Sequence, residues 1–218
     1  MQRNPVHLEI VNDLDSNVFN WWSVVRDSPE ALERWIELTP DSREAFEESQ
    51  HLLANSDDPV VRAGAFSYVL TNSFLGSGGS FANTFSPSKR KTWDGLPLLV
   101  RPWAARLKNV RLEHMDALEL LEGLKTKADA VIYCDPPYQS STLPGYRTHG
   151  LPELDHSAML DVLMSCQGKV ALSGLENTSY DLPGWYKHTL NVRRFGPSSE
   201  RRLEALWTNY PADNTLFN

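Results

Sequence analysis

The stretch 130–138, AVIYCDPPY, decides the fold. Its first five residues are apolar and read as a strand, and an acid, two prolines and an aromatic ring follow at once: Asp135, Pro136, Pro137 and Tyr138. In an open α/β sheet, ligands bind beyond the carboxyl ends of the strands, so this turn is where a site belongs. With proline at about 5% of ordinary usage, a chance DPPY in a chain of this length has odds on the order of one in a thousand.

Outward from that turn, short apolar runs alternate with helical pieces. Residues 110–112 read as a strand and 117–124 as a helix; a Gly/Pro-bearing loop at 139–152 precedes a helix near 156–166 and a strand at 170–173. Residues 189–195 and 203–210 alternate like strands around a turn at 196–200, which suits an antiparallel hairpin closing a mostly parallel sheet. Toward the N-terminus, 6–11 (VHLEIV) reads as a strand stopped by Asn12-Asp13, with Ser16 capping a helix to Val25. Helical patterns then run from 29 to about 35, 41 to about 53, 57 to 71 and 99 to 107. Ser28-Pro29 and Thr39-Pro40 serve as entry signals, and the glycine-rich Gly76-Ser77-Gly78-Gly79 interrupts the run. The expected class is α/β.

Composition narrows the function. A chain of 218 residues with 41% hydrophobic and 22% charged residues can bury a sizeable core. Cys134 and Cys166 are far apart and no Cys/His cluster has metal-ligand spacing, so no metal is expected and a reducing, cytoplasmic setting is. The N-terminus lacks an apolar leader and no run approaches the ~18 apolar residues of a membrane span. A net charge of −7 argues against binding nucleic acid by bulk charge. Any nucleic-acid contact must use local cations: Lys89, Arg90 and Lys91, the pairs Arg193-Arg194 and Arg201-Arg202, or Arg147.

Five segments beyond DPPY carry a family likeness. EIVNDLDSNVFNWWSVVRDSPEALERWIELTPDSREAF (9–46), RAGAFSYVLTNSFLGSGGSF (62–81), EHMDALELL (113–121), GKVALSGLENTSYD (168–181) and RRLEALWTNY (201–210) resemble the DNA adenine methylase family. The resemblance implies a Rossmann-like methyltransferase sheet from 1–28 and 109–218, with a mainly helical DNA-recognition insertion at 29–108. It implies site-specific methylation of adenine N6 in double-stranded DNA, with S-adenosylmethionine as donor and a base turned out of the duplex. Asp13 matches the acid that binds the cofactor's ribose, Asp116 lies where the family contacts the adenine side, and Asp135 meets the methionine moiety. Taken alone, Asn12-Asp13 is a turn and Asp116 a helix N-cap. The segment 62–81 is similar to the family's DNA-facing region, and Lys89, Arg90, Lys91 and Arg147 become the expected phosphate contacts.

The chemistry fits the motif. The exocyclic amine of adenine has its lone pair delocalised into the ring and is barely nucleophilic. A carboxylate at Asp135 accepting one N6 hydrogen, and a carbonyl of the Pro136-Pro137 step accepting the other, would localise that pair. The prolines hold the loop rigid, and Tyr138 offers a face on which the base stacks, a contact worth about 1–3 kcal/mol. Such motifs also serve cytosine N4, RNA bases and glutamine side chains, so those substrates stay open.

One family feature lies outside the 218 residues. The family's Phe-x-Gly-x-Gly motif precedes the equivalent of Asp13 on a first strand, central in the sheet between the strands at 6–11 and 130–134. Met1 stands only 12 residues before Asp13. The expectation is therefore a sheet lacking its first βα unit, by truncation, by a split whose second chain supplies the piece, or by decay to a non-catalytic DNA-binding remnant. Phe74–Gly79 also spells Phe-x-Gly-x-Gly; because it follows a helical segment it is assigned to DNA, with a relocated cofactor loop as the alternative.

Overall fold

The computed structural model describes residues 7–74, 78–82, 92–137, 155–176, 178, 180–190 and 203–211. Contacts divide the chain into two compact units, Met1–Met115 and Asp116–Asn218. Tyr138, Lys89, Arg90, Lys91, Arg147, Arg193, Arg194, Arg201 and Arg202 lie outside the described residues, as do the expected turn at 196–200 and loop at 139–152.

The first unit joins a two-stranded parallel sheet to a set of helices. Strand β1 (Glu9–Asn12) pairs with β2 (Val110–Glu113), Glu9 opposite Val110 and Asn12 opposite Glu113. Between them run α1 (Ser16–Asp27), α2 (Pro29–Leu38), α3 (Arg43–Asn55), α4 (Pro59–Asn72) and α5 (Pro97–Leu107). Proline opens α2, α4 and α5, where its missing N–H is harmless and its fixed φ suits the first turn. Side-chain caps start three helices: Asp15 accepts from Asn17 N, Ser42 from Ala45 N, and Asp58 from Val60 and Val61 N. The sequence expectation put the first cap at Ser16 and began the third helix at Asp41. Asp15 takes the cap because its side chain reaches the second amide of the helix, and Ser42 reaches the third amide of α3.

These helices close on one apolar core built from Val24, Val25, Leu32, Ile36, Phe46, Tyr68, Val69, Trp93, Val100 and Leu107. Tyr68 is fully buried, and its hydroxyl donates to Pro40 O at 2.9 Å while accepting from Ser42 N at 3.0 Å, which locks the link between α2 and α3. Trp21 donates Nε1–H to Ser67 on α4 at 2.6 Å. Gly64 on α4 allows close approach to α2, since a Cβ there would meet the Trp35 ring at 2.3 Å. At the other edge of the unit Arg106 on α5 forms a two-pronged pair with Glu9 on β1, tying the last helix to the first strand.

The glycine-rich segment ends α4 and follows no strand. Ser73 and Phe81 form an antiparallel bridge, Phe74 N donates to Ser80 O at 2.8 Å, and Gly78 takes a positive φ of 71° that suits glycine. Gln50 on α3 donates Nε2–H to Gly78 O at 2.8 Å.

Among the described residues, the second unit is a four-stranded mixed sheet in the order β3-β4-β6-β5, with two helices. Strand β3 (Val131–Cys134) runs parallel to β4 (Lys169–Leu175), while β6 (Glu204–Thr208) runs antiparallel to both β4 and β5 (Tyr186–Leu190). The expected closing hairpin is thus present. Its first strand begins earlier, at Tyr186, than the alternation starting at 189 suggests. Helix α6 (Ala117–Leu124) is capped by Asp116, and α7 (His156–Ser165) by Asp155. Both contribute to a core with Ile132, Val170, Leu172, Ala205 and Trp207. Among the described residues, β3 has a ladder partner on one side only, and its Val131 and Tyr133 side chains are 75% and 65% exposed. Among the described residues no helix is long and apolar enough to cross a membrane.

Candidate active site

Asp135 is the first residue beyond β3, at the carboxyl end of a parallel strand, and its side chain faces solvent. The register Cys134 opposite Leu172 brings Ser173, the next residue of β4, beside it. Ser173 is 8% exposed in a strand otherwise apolar, and its Oγ lies 2.6 Å from Asp135 Oδ1 and 3.1 Å from Cys134 O. Pro136 is buried and Pro137 exposed, so the first proline anchors the turn while the second stands at the surface. Each proline also restricts the residue before it to extended backbone, which fixes Asp135 and Pro136 in turn. The adjoining Cys134 thiol is pushed up to about 11, by burial first and by the nearby Cys166 second.

In the first unit, Asp13 follows β1 at the carboxyl end of a parallel pair. The ladder continues past the strands: Asp13 N donates to Glu113 O at 3.3 Å, and the Asn12 side chain bridges to Met115, donating to its O at 3.1 Å and accepting from its N at 3.2 Å. Asp13 Oδ1 accepts from Asp15 N at 2.8 Å, and Asp15 in turn caps α1. The loop is braced by His114, whose ring stacks on Phe19 at 4.9 Å and whose Nε2 lies 3.1 Å from Leu14 O. Burial raises the Asp13 carboxyl above its usual value. The Asp15 amide opposes that rise, the Asp15 charge adds to it, and His114 opposes it.

Asp116 is exposed and accepts from Leu118 N at 2.7 Å, so the capping role read from the sequence is the one its oxygen performs here. Among the described residues no group of three His, Cys, Asp or Glu side chains is arranged to hold a metal.

Sequence reasoning singled out Asp13, Asp116 and Asp135 but missed Ser173, Asn12 and His114. A polar residue inside an apolar strand must find a partner, and that signal was available at Ser173 in VALSGL. The identity of the partner was not, because it lies in another strand.

Comparison with curated protein sequences returns no match. A family description does match: that of the D12 class N6 adenine-specific DNA methyltransferases, over residues 3–193. This span takes in both units' strands up to the end of β5, and with them Asp13, Asp116 and the DPPY turn. The chain belongs to the D12 class N6 adenine-specific DNA methyltransferase family, and is by that membership a methyltransferase.

Proposed function

We propose that the protein is a site-specific DNA methyltransferase that transfers a methyl group from S-adenosylmethionine to N6 of an adenine turned out of double-stranded DNA. One observation carries the reading: an exposed carboxylate, Asp135, stands at the carboxyl end of a parallel strand on a turn stiffened by two prolines, with one oxygen already held by Ser173. Asp135 accepts one hydrogen of the exocyclic amine, and the carbonyl of Pro136 accepts the other. The nitrogen lone pair, withdrawn from the ring, would be free to take the methyl group as the donor's carbon–sulfur bond breaks and its thioether leaves, and the amine's extra proton would pass to the carboxylate and on to water. Tyr138 stacks on the flipped base.

The chemistry of the donor set fits the cofactor. Asp13, half-buried at a strand end with Oδ2 free of hydrogen bonds among the described residues, suits a ribose diol, which needs a carboxylate acceptor. Asp116 and Asp135 complete the proposed cofactor contacts. When bound, S-adenosylmethionine supplies the electrophilic methyl group. The helical segment 29–108 serves as the target-recognition insertion, with Lys89, Arg90, Lys91 and Arg147 on phosphates. The glycine-rich segment after α4 belongs to that region, since it follows a helix and is pinned to α3.

The test is to treat DNA and RNA with the protein and S-adenosylmethionine, digest to nucleosides and weigh the products. N6-methyladenine from DNA, lost in Asp135→Ala, is expected. A methyl group on cytosine N4, on RNA or on protein glutamine would replace the substrate. Absence of any product, with no cofactor binding, would leave a DNA-binding remnant.

A further inference from the structure

We propose that Ser173 is a positioning residue that orients the Asp135 carboxylate, tying Oδ1 and leaving Oδ2 as the acceptor for the substrate amine. The inference rests on the reading of Asp135 as that acceptor. Ser173 has one hydroxyl proton and two acceptors in range, Asp135 Oδ1 at 2.6 Å and Cys134 O at 3.1 Å. The Asp135 oxygen is the nearer of the two, and a hydroxyl donates more strongly to a carboxylate than to a peptide carbonyl. The proton therefore goes to Asp135.

The rest of the geometry makes this contact decisive. Asp135 leaves β3 at a fixed point, and Pro136 restricts its backbone to the extended region, so only the side-chain torsions remain to be set. The hydroxyl sets them. It comes from β4, a strand paired on both sides, with Cys134 of β3 opposite Leu172 and Leu206 of β6 opposite the buried Ser173, which makes it a rigid donor. Among the described residues Asp135 Oδ2 has no hydrogen-bond partner, so the carboxylate presents one bound and one open oxygen. A freely rotating carboxylate would share its lone pairs between water and substrate. A tethered one presents a single acceptor in one direction, the preorganisation that amine activation needs.

The test uses the full 218-residue chain with aspartate carboxyl carbons labelled with 13C, the Asp135 signal being the one lost in Asp135→Asn. In the wild type that signal should shift on exchange of H2O for D2O, reporting a bound exchangeable proton. Ser173→Ala should move the signal and abolish the isotope shift, and Ser173→Thr, which keeps the hydroxyl, should restore both. In methyl transfer, Ser173→Ala should lower kcat roughly tenfold or more while the Kd for DNA is unchanged, with Ser173→Thr recovering the rate. No isotope shift in the wild type overturns the proposal without any variant having to fold. A shifted signal with unchanged kcat overturns the positioning role. Wild-type protein that transfers no methyl group under any condition overturns the functional reading instead, and the carbon signal still decides whether Ser173 orients Asp135.

Discussion

The side-chain amide of Asn12 pairs with both main-chain polar groups of Met115, adding a rung to the parallel ladder after its own strand has ended. An amide side chain is the one group that can donate and accept in the geometry of a peptide, so it continues the sheet where the backbone has turned away. Asp13 is the next residue, and its aim depends on where Asn12 is held.

Replacing Asn12 by Ala removes both bonds and leaves the Met115 amide and carbonyl to partly excluded water. The expected cost is about 1–2 kcal/mol of stability. Urea denaturation measures it, and hydrogen exchange should speed up at Met115 before it does in the helices. Asn12→Asp should be no better, because a carboxylate accepts from the amide but repels the carbonyl. Equal exchange rates at Met115 in wild type and Asn12→Ala would show that the amide bridge does not hold the strand ends.

Asp13 carries a conflict between stability and binding. Burial raises its pKa, so the fold favours the protonated carboxyl and bears a cost when the group ionises. The sign follows: at neutral pH the charged form destabilises, and the penalty fades as pH falls through the raised pKa. Asp13→Asn, which can still accept from Asp15 N, should therefore raise Tm at pH 7, and the gain should shrink toward pH 4. Cofactor affinity should move the other way. Calorimetric titration with S-adenosylhomocysteine should show wild-type binding weakening as Asp13 is protonated, while Asp13→Asn binds weakly throughout. Unaltered affinity in Asp13→Asn would remove Asp13 from the cofactor site.

The Cys134 thiol, pushed up to about 11 by burial, should remain protonated at neutral pH and react slowly with iodoacetamide. Because the folded pKa lies above the ordinary value of 9.0, its contribution to stability is whole below about pH 9 and is lost as pH climbs toward 11. Denaturation curves between pH 8 and 10.5 should show that decline, and Cys134→Ala should flatten part of it. The remainder belongs to Cys166, whose pKa burial also raises. A decline identical in Cys134→Ala would assign the whole effect elsewhere.

Local signals in the sequence located most elements. Ser28-Pro29 announced a helix because the fixed φ of proline suits the first turn itself. The boundaries at Ser16 and Asp41 slipped by one or two positions, since several neighbouring residues can cap and only geometry selects among them. The acid after each apolar strand was legible for the same local reason. The companions of those acids were not: Asn12 meets Met115 across 103 residues and Ser173 meets Asp135 across 38, and no window of sequence spans such pairs. Among the described residues the strands form a parallel pair and a mixed four-stranded sheet, and which strands pair is set by tertiary contacts and not by strand propensity.

Gly64 has no side chain, takes no part in any proposed chemistry and lies in the middle of α4, where glycine is the poorest helix former after proline. The Trp35 ring nevertheless occupies the place where its Cβ would be. In a randomised library selected for methyl transfer, this position should return glycine almost as strictly as the DPPY turn does. A ranking of positions by how little they tolerate would then put a spacer beside the acid that touches the substrate. Tolerance to substitution measures whatever the molecule needs, and here the need is one missing carbon atom.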